Sequence, residues 1–259
     1  MFKKPAQFGA IVSVLFIVAC SKSEPEAVSE PQPAAEPPTA ADSMPDPATE
    51  PAGGSDPTVI DPDHYKVEFE NEAVRILRIN YGPGEESVMH AHPDSVAVFL
   101  TDIKAQMTMA DGSSEEVQVA AGDASFSAGG EHQVKNISDS AWEVVEVELK
   151  PRDSSAQGES AGPDATVVDA DHYATEFENE SVRIVRIKYG VGEESIMHYH
   201  PDSVAVFVTD HLVQMTMPDG SKEDIPASAG DALFIPGGQH LPKNISDSAW
   251  ELVLIELKD

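Results

Sequence analysis

Three histidines recur in this chain at fixed spacing. His90 and His92 are one residue apart, His132 follows later, and the set returns as His198, His200 and His240. Imidazole nitrogens suit Fe, Mn, Ni, Cu and Zn, and three protein ligands leave open positions on an ion for water, substrate or oxygen. In a strand, residues i and i+2 share a face with their Cα atoms about 6.6 Å apart. His90 and His92 can therefore converge on one ion if a third ligand arrives from another strand. His132 is the natural third ligand, because it follows the Gly129-Gly130 turn at the start of a later strand. Each set is expected to hold one divalent transition metal.

The elements that must position these residues are themselves duplicated. Residues 58–150 align with 166–258 without a gap, at a constant offset of 108 residues, and most aligned positions are identical. A tandem domain duplication follows. Inside each repeat the apolar residues alternate in short runs. Val74–Tyr81, Val96–Leu100 and Trp142–Leu149 read as strands, as do Val182–Tyr189, Val204–Val208 and Trp250–Leu257, with Gly-rich turns between them. No run supports a helix of ten or more residues. Many short strands at regular spacing predict an all-β sandwich or barrel in each repeat.

The histidine motifs then carry a family resemblance. Gly84, five residues and His90-Ala91-His92 resemble the opening of the first cupin motif. Gly122, five residues, Ala128-Gly129-Gly130-Glu131-His132 and Asn136 resemble the second, and the second repeat fits better because Pro236 stands where Ala128 does. The run PGEESVMHAHPDSVAVFLTD also looks like small bacterial single-cupin proteins. The resemblance implies two tandem cupin (jelly-roll) β-barrels, a metal centre in each, and a metal-dependent oxygenase or isomerase acting on a small molecule. It departs at one place. Cupins usually carry a metal-binding glutamate three or four residues after the second histidine, and here Val96, Ala97, Val204 and Ala205 stand there. A non-catalytic module of the cell envelope, one that binds a metal or small ligand or mediates interactions, is the competing reading. The duplication also implies an intramolecular pseudo-dimer of barrels, beside which a homo-oligomer stays open.

The rest of the chain places this pair in a cell. Residues 1–19 read as a secretory signal, with Lys3 and Lys4 followed by an apolar run too short to span a bilayer. Ile17-Val18-Ala19-Cys20 resembles the lipobox of bacterial lipoproteins, whose cysteine is lipidated. Ser21 after it resembles outer-membrane sorting, which puts the protein in the cell envelope, facing the periplasm. Residues 20–57, rich in Pro, Ala and Glu, read as a disordered acidic tether, and residues 151–165 as a linker between domains 58–150 and 166–259. Each repeat is long enough for its own core, so fragments cut near residue 158 are expected to fold separately. Cys20 is the only cysteine, so the domains contain no disulfide. A formal net charge of −30 repels nucleic acid and anionic lipid, leaving an acyl anchor as the route to a membrane.

Several further residues are open to more than one role. Asp94 and Asp202 either orient a ligating imidazole or cap a turn. Gln106 and Gln214 are candidates to face the barrel, as a fourth ligand or a substrate contact. His64 and His172 read as structural or surface residues, His211 as a surface residue, and Met89, Met197, Trp142 and Trp250 as core. Asn136-Ile137-Ser138 matches a glycosylation pattern, which a bacterial lipoprotein leader argues against.

Overall fold

The structure is a computed structural model that describes residues 55–152 and 162–258. The leader, Cys20, nearly all of the tether and the middle of the linker lie outside the described residues. The first repeat opens with one helical turn, α1 (Pro57–Ile60), followed by β1 (Tyr65–Glu70), β2 (Val74–Tyr81), β3 (His90–His92), β4 (Ser95–Phe99), β5 (Ile103–Met109), β6 (Ser114–Val119), β7 (Ala124–Ser127), β8 (Gly130–Asn136) and β9 (Trp142–Leu149). The second repeats it as α2 (Ala165–Val168), β10 (Tyr173–Glu178), β11 (Val182–Tyr189), β12 (His198–His200), β13 (Ser203–Phe207), β14 (His211–Thr216), β15 (Lys222–Ala227), β16 (Ala232–Ile235), β17 (Gly238–Asn244) and β18 (Trp250–Leu257). Among the described residues no helix is long and apolar enough to cross a membrane.

Each repeat forms a five-stranded and a four-stranded sheet. The orders are β1-β2-β9-β4-β7 and β3-β8-β5-β6, with the same pattern in the second repeat. All pairings between these strands are antiparallel, the arrangement of a jelly-roll barrel. Asp111-Gly112 turns β5 into β6, and Gly112 takes a φ of 83°, which a residue without Cβ adopts at no steric cost. The period-2 alternation of β2 explains both of its faces. Leu77, Ile79 and Tyr81 point into the barrel, where they meet Tyr65, Ile103, Ala105, Val134, Trp142 and Val144. Val74 and Ile76 point the other way.

That outer face is not solvated. Val74, Ile76, Val96, Val98, Val145 and Val147 form one buried cluster with Val182, Ile184, Val204, Val206, Val253, Ile255 and Leu257 of the second repeat. The five-stranded sheets thus share an apolar core. Contacts across it come in pairs related by the repeat offset. Phe69 stacks on Phe234 at 5.7 Å and Phe126 on Phe177 at 5.3 Å between ring centroids. Arg78 donates to the Gly230 carbonyl at 2.7 Å and Arg186 to the Gly122 carbonyl at 2.6 Å. Such reciprocal contacts are what a two-fold interface makes. A fragment cut near residue 158 keeps its own barrel core but would expose its half of this shared face.

The folded segments also reach slightly beyond the identical stretches. Asp56 and Asp164 cap α1 and α2 and pair with Arg75 and Arg183 at 2.6 and 2.7 Å. Just before them, the Ser55 and Pro163 carbonyls accept from Ala91 N and Tyr199 N, so the incoming chain runs beside the histidine strands.

Candidate metal centre

The strand register brings the three histidines of each barrel together. In the β3–β8 pair His90 lies directly opposite His132, and His92 lies two residues along on the same face. His198 and His240 oppose each other likewise between β12 and β17. One ligand nitrogen from each of His90, His92 and His132 lies within 4.8 Å of the others, and the same holds for His198, His200 and His240. Ring centroids are 4.7–5.3 Å apart in the first set and 4.8–5.3 Å in the second. His90, His92, His198 and His200 are buried, while His132 and His240 are half-buried.

Gly129 lets the second turn come close enough. A Cβ there would stand 3.0 Å from the His92 carbonyl and 3.1 Å from Pro93 C, both backbone atoms that cannot yield. Asp94 completes this junction, since its carboxylate accepts from Gly129 N at 2.8 Å, as Asp202 does from Gly237 N. These aspartates thus hold the turn that delivers the third histidine, and neither is bonded to an imidazole.

Carboxylates do orient the imidazoles, from a strand that carries no cupin motif. Glu148 on β9 accepts from His92 Nδ1 at 2.8 Å, and Glu256 on β18 from His200 Nδ1 at 2.6 Å. Each glutamate also pairs with Arg75 or Arg183, and through it with Asp56 or Asp164. His90 and His198 donate Nδ1–H to the Val88 and Ile196 carbonyls at 2.8 and 2.7 Å. A carbonyl only accepts, so both of these rings present an Nε2 lone pair to the centre. Tyr65 OH meets His90 Nε2 at 2.9 Å and itself accepts from Tyr81 OH; Tyr173 and Tyr189 repeat the chain at His198.

These residues fit a metal. His92 Nε2 and His200 Nε2 are buried with no hydrogen-bond partner. A buried unpaired acceptor is costly unless something fills it. Carboxylate–histidine pairs that fix the tautomer accompany most ligating imidazoles.

The electrostatics keep the donors neutral. Burial, with the neighbouring rings adding to it, pushes His132 and His240 down to about 3. Burial likewise holds His90 and His198 at about 4. His92 moves the other way: burial lowers it, but Glu146 and Glu148 outweigh burial and raise it. A depressed histidine contributes stability that is present above its unfolded value of about 6.5 and is lost as pH falls toward its folded value. Four of the six triplet histidines act in this sense, as does the buried His211, and His92 opposes them. Metal-free protein should therefore lose stability steadily from pH 6.5 to about 4, read as a falling urea midpoint. An unchanged midpoint across that range would contradict the burial of these rings.

Other expectations need correction. Gln106 is exposed, and Gln214 bonds Asp224 and Lys222 at 3.0 and 3.1 Å on the outer side. Neither faces the histidines, because alternation turns Ile103, Ala105 and Met107 inward instead. His211 is buried rather than on the surface, stacked on Phe207 at 4.4 Å and near Trp250, because it occupies the inward position of β14 that Ile103 has on β5. Met89 is 37% exposed, not core, because it lies in the loop before β3. His64 and His172 stack on Tyr81 and Tyr189 at 4.2 Å and bond Asp61 and Asp169, in line with a structural role. Asn136 is buried, with its amide on the Tyr81, Gly82 and Ser140 carbonyls, so it offers no glycosylation acceptor.

Sequence reasoning missed Glu146, Glu148, Glu256, Tyr65 and Tyr173. Part of the signal lay in the closing strand. In Trp142–Leu149 the valines at 145 and 147 alternate with glutamates at 146 and 148, and those carboxylates face the barrel.

Known proteins give the context. No protein-family model matches the chain, and no curated protein is similar to it in sequence. Among solved structures, a cupin domain from Bordetella pertussis Tohama I is 31% identical over 34% of this chain and 92% of that domain, with a TM-score of 0.32. AerE from Microcystis aeruginosa is 14% identical, covering 76% of this chain and 93% of that one, with a TM-score of 0.57. An oxalate decarboxylase matches at 14% identity over 73% of this chain and 70% of its own, with a TM-score of 0.52. AerE and the decarboxylase share the two-barrel fold, and the Bordetella domain shares nearly a third of its residues over almost its full length, so the chain belongs to the cupin superfamily.

Proposed function

We propose that each barrel binds one divalent transition metal through its three histidines, and that the protein uses these centres in metal-dependent chemistry on a small molecule. The unpaired, buried Nε2 atoms of His92 and His200, aimed where two further imidazoles converge, carry this reading. The metal would supply a Lewis acid with open positions. Glu148 and Glu256 hold the ligating rings in one tautomer and orientation. Tyr65 and Tyr173 place a hydroxyl beside the centre; its proton, held here by His90 or His198 Nε2, would be released to an oxygen of a bound ligand once that nitrogen ligated a metal. Oxygenase or isomerase chemistry on a ligand that chelates through adjacent oxygens suits such a site. A second reading, metal retention without turnover, is favoured in the second barrel, where Leu254 stands in place of Glu146 and leaves Glu256 as the carboxylate at His200. Elemental analysis of the purified full chain after exposure to Fe, Mn, Ni, Cu and Zn should find two ions per chain. Failure to retain any would sink both readings.

We also propose that Cys20 carries an acyl anchor, which tethers the barrels in the cell envelope, at the outer membrane facing the periplasm. The lipobox-like Ile17–Cys20 and the apolar run before it support this. Cys20→Ala should move the protein out of the membrane fraction or leave its leader uncleaved. A variant that is processed and fractionates as wild type does would rule the anchor out.

A further inference from the structure

The two barrels share their ligands but not the charge around them. Glu146 on β9 points into the first barrel, 8% exposed, and its Oε2 lies 3.5 Å from His92 Nδ1. Two carboxylates, Glu146 and Glu148, thus flank one ligating imidazole. Leu254 occupies the corresponding position on β18, so His200 has Glu256 alone. A neighbouring hydroxyl registers the same difference. Ser95 Oγ donates to Glu146 Oε1 at 2.7 Å, while Ser203 Oγ, its counterpart, is buried without a partner.

The counter-charges make the difference uneven. Arg75 pairs with Glu148 and Arg183 with Glu256, so that relay is balanced alike in both barrels. Glu146 has no such partner: among the described residues its one ion pair is with His92. A buried carboxylate without a cation is costly, and a dication a few ångströms away relieves that cost.

We propose that the two centres are inequivalent, with Glu146 acting through His92 to make the first barrel the high-affinity metal site and Leu254 leaving the second the weaker one. The inference rests on the metal reading above. Glu146 is a positioning residue, since its contact is with the far nitrogen of a ligand. Groups at that remove change metal affinity by about 10–100-fold. The first barrel should fill before the second as metal is supplied.

Single-site variants of the full chain test this by calorimetric titration with Zn²⁺ against a competing chelator. His240→Ala leaves the first centre alone, and His132→Ala leaves the second. The first should bind about 10–100-fold more tightly than the second. Glu146→Gln, added to His240→Ala, keeps the shape of the side chain and should bring the affinity to that of the second barrel. Circular dichroism of each variant guards against unfolding. Leu254→Glu, added to His132→Ala, should strengthen the second site. Equal affinities in the two single-site proteins, or an unchanged affinity on Glu146→Gln, would overturn the inequivalence and leave the metal reading standing. No uptake by either would remove both.

Discussion

Replacing His132 by alanine should cost the first barrel its metal, and His240→Ala should do the same to the second. Structural zinc sites with four ligands amount to about 10–16 kcal/mol of binding free energy, which divides into about 2.5–4 kcal/mol per ligand. Losing one ligand therefore weakens binding by two to three decades. The fold should survive, because the barrel core of Tyr65, Leu77, Ile79, Trp142 and Val144 does not include the histidines. The readout is metal stoichiometry by elemental analysis together with the thermal shift on metal addition. An ion at a hundred times its Kd raises stability by about 2.7 kcal/mol, and each variant should lose the share contributed by its own barrel. A variant that retains two ions per chain would show that the three rings do not act as one site.

The second large effect belongs to the face between the barrels. Ile255 is fully buried, paired on one side with Ile184 of β11 and on the other with Val204 of β13. Ile255→Asp places an unpaired carboxylate among aliphatic side chains from both repeats. Burying such a charge belongs to the mechanisms that exceed about 4 kcal/mol. Urea unfolding should show a collapse of stability, whereas Ile196→Asp, at a site 53% exposed, should stay within about 0.5 kcal/mol. The same face governs fragments. Residues 55–152 alone would expose Val74, Ile76, Val96, Val98, Val145 and Val147, each of which gains about 1.5–3 kcal/mol by full burial. Sedimentation should find that fragment self-associated. A stable monomer would show that the shared core is dispensable.

Much of this fold was legible in the chain. The strands Val74–Tyr81 and Trp142–Leu149 occur with the bounds their alternation suggests, since period-2 patterning is local and both faces of these strands are used. The ligand set was legible for a similar reason. An i, i+2 pair must share a face in any strand, and the glycine turn before His132 is a local signal. His211 reads as a surface residue because the first repeat has Ile103 and no histidine there, whereas its burial comes from Phe207 and Trp250 across the fold.

From the residues alone came the duplication, the β class, the two histidine triplets and the apolar run before Cys20. Each is a matter of order and spacing along the chain. Tertiary structure decided what stands across from what. It set Glu148 and Glu256 against the far nitrogens of two ligands, from strands more than fifty positions further along. It turned Val145 and Val147 toward the other repeat while Glu146 and Glu148 faced the centre, because a twice-covered sheet buries both of its faces. It separated Glu146 from Leu254 as a difference that bears on the metal, since the weight of one carboxylate depends on which imidazole it reaches and which cation fails to reach it.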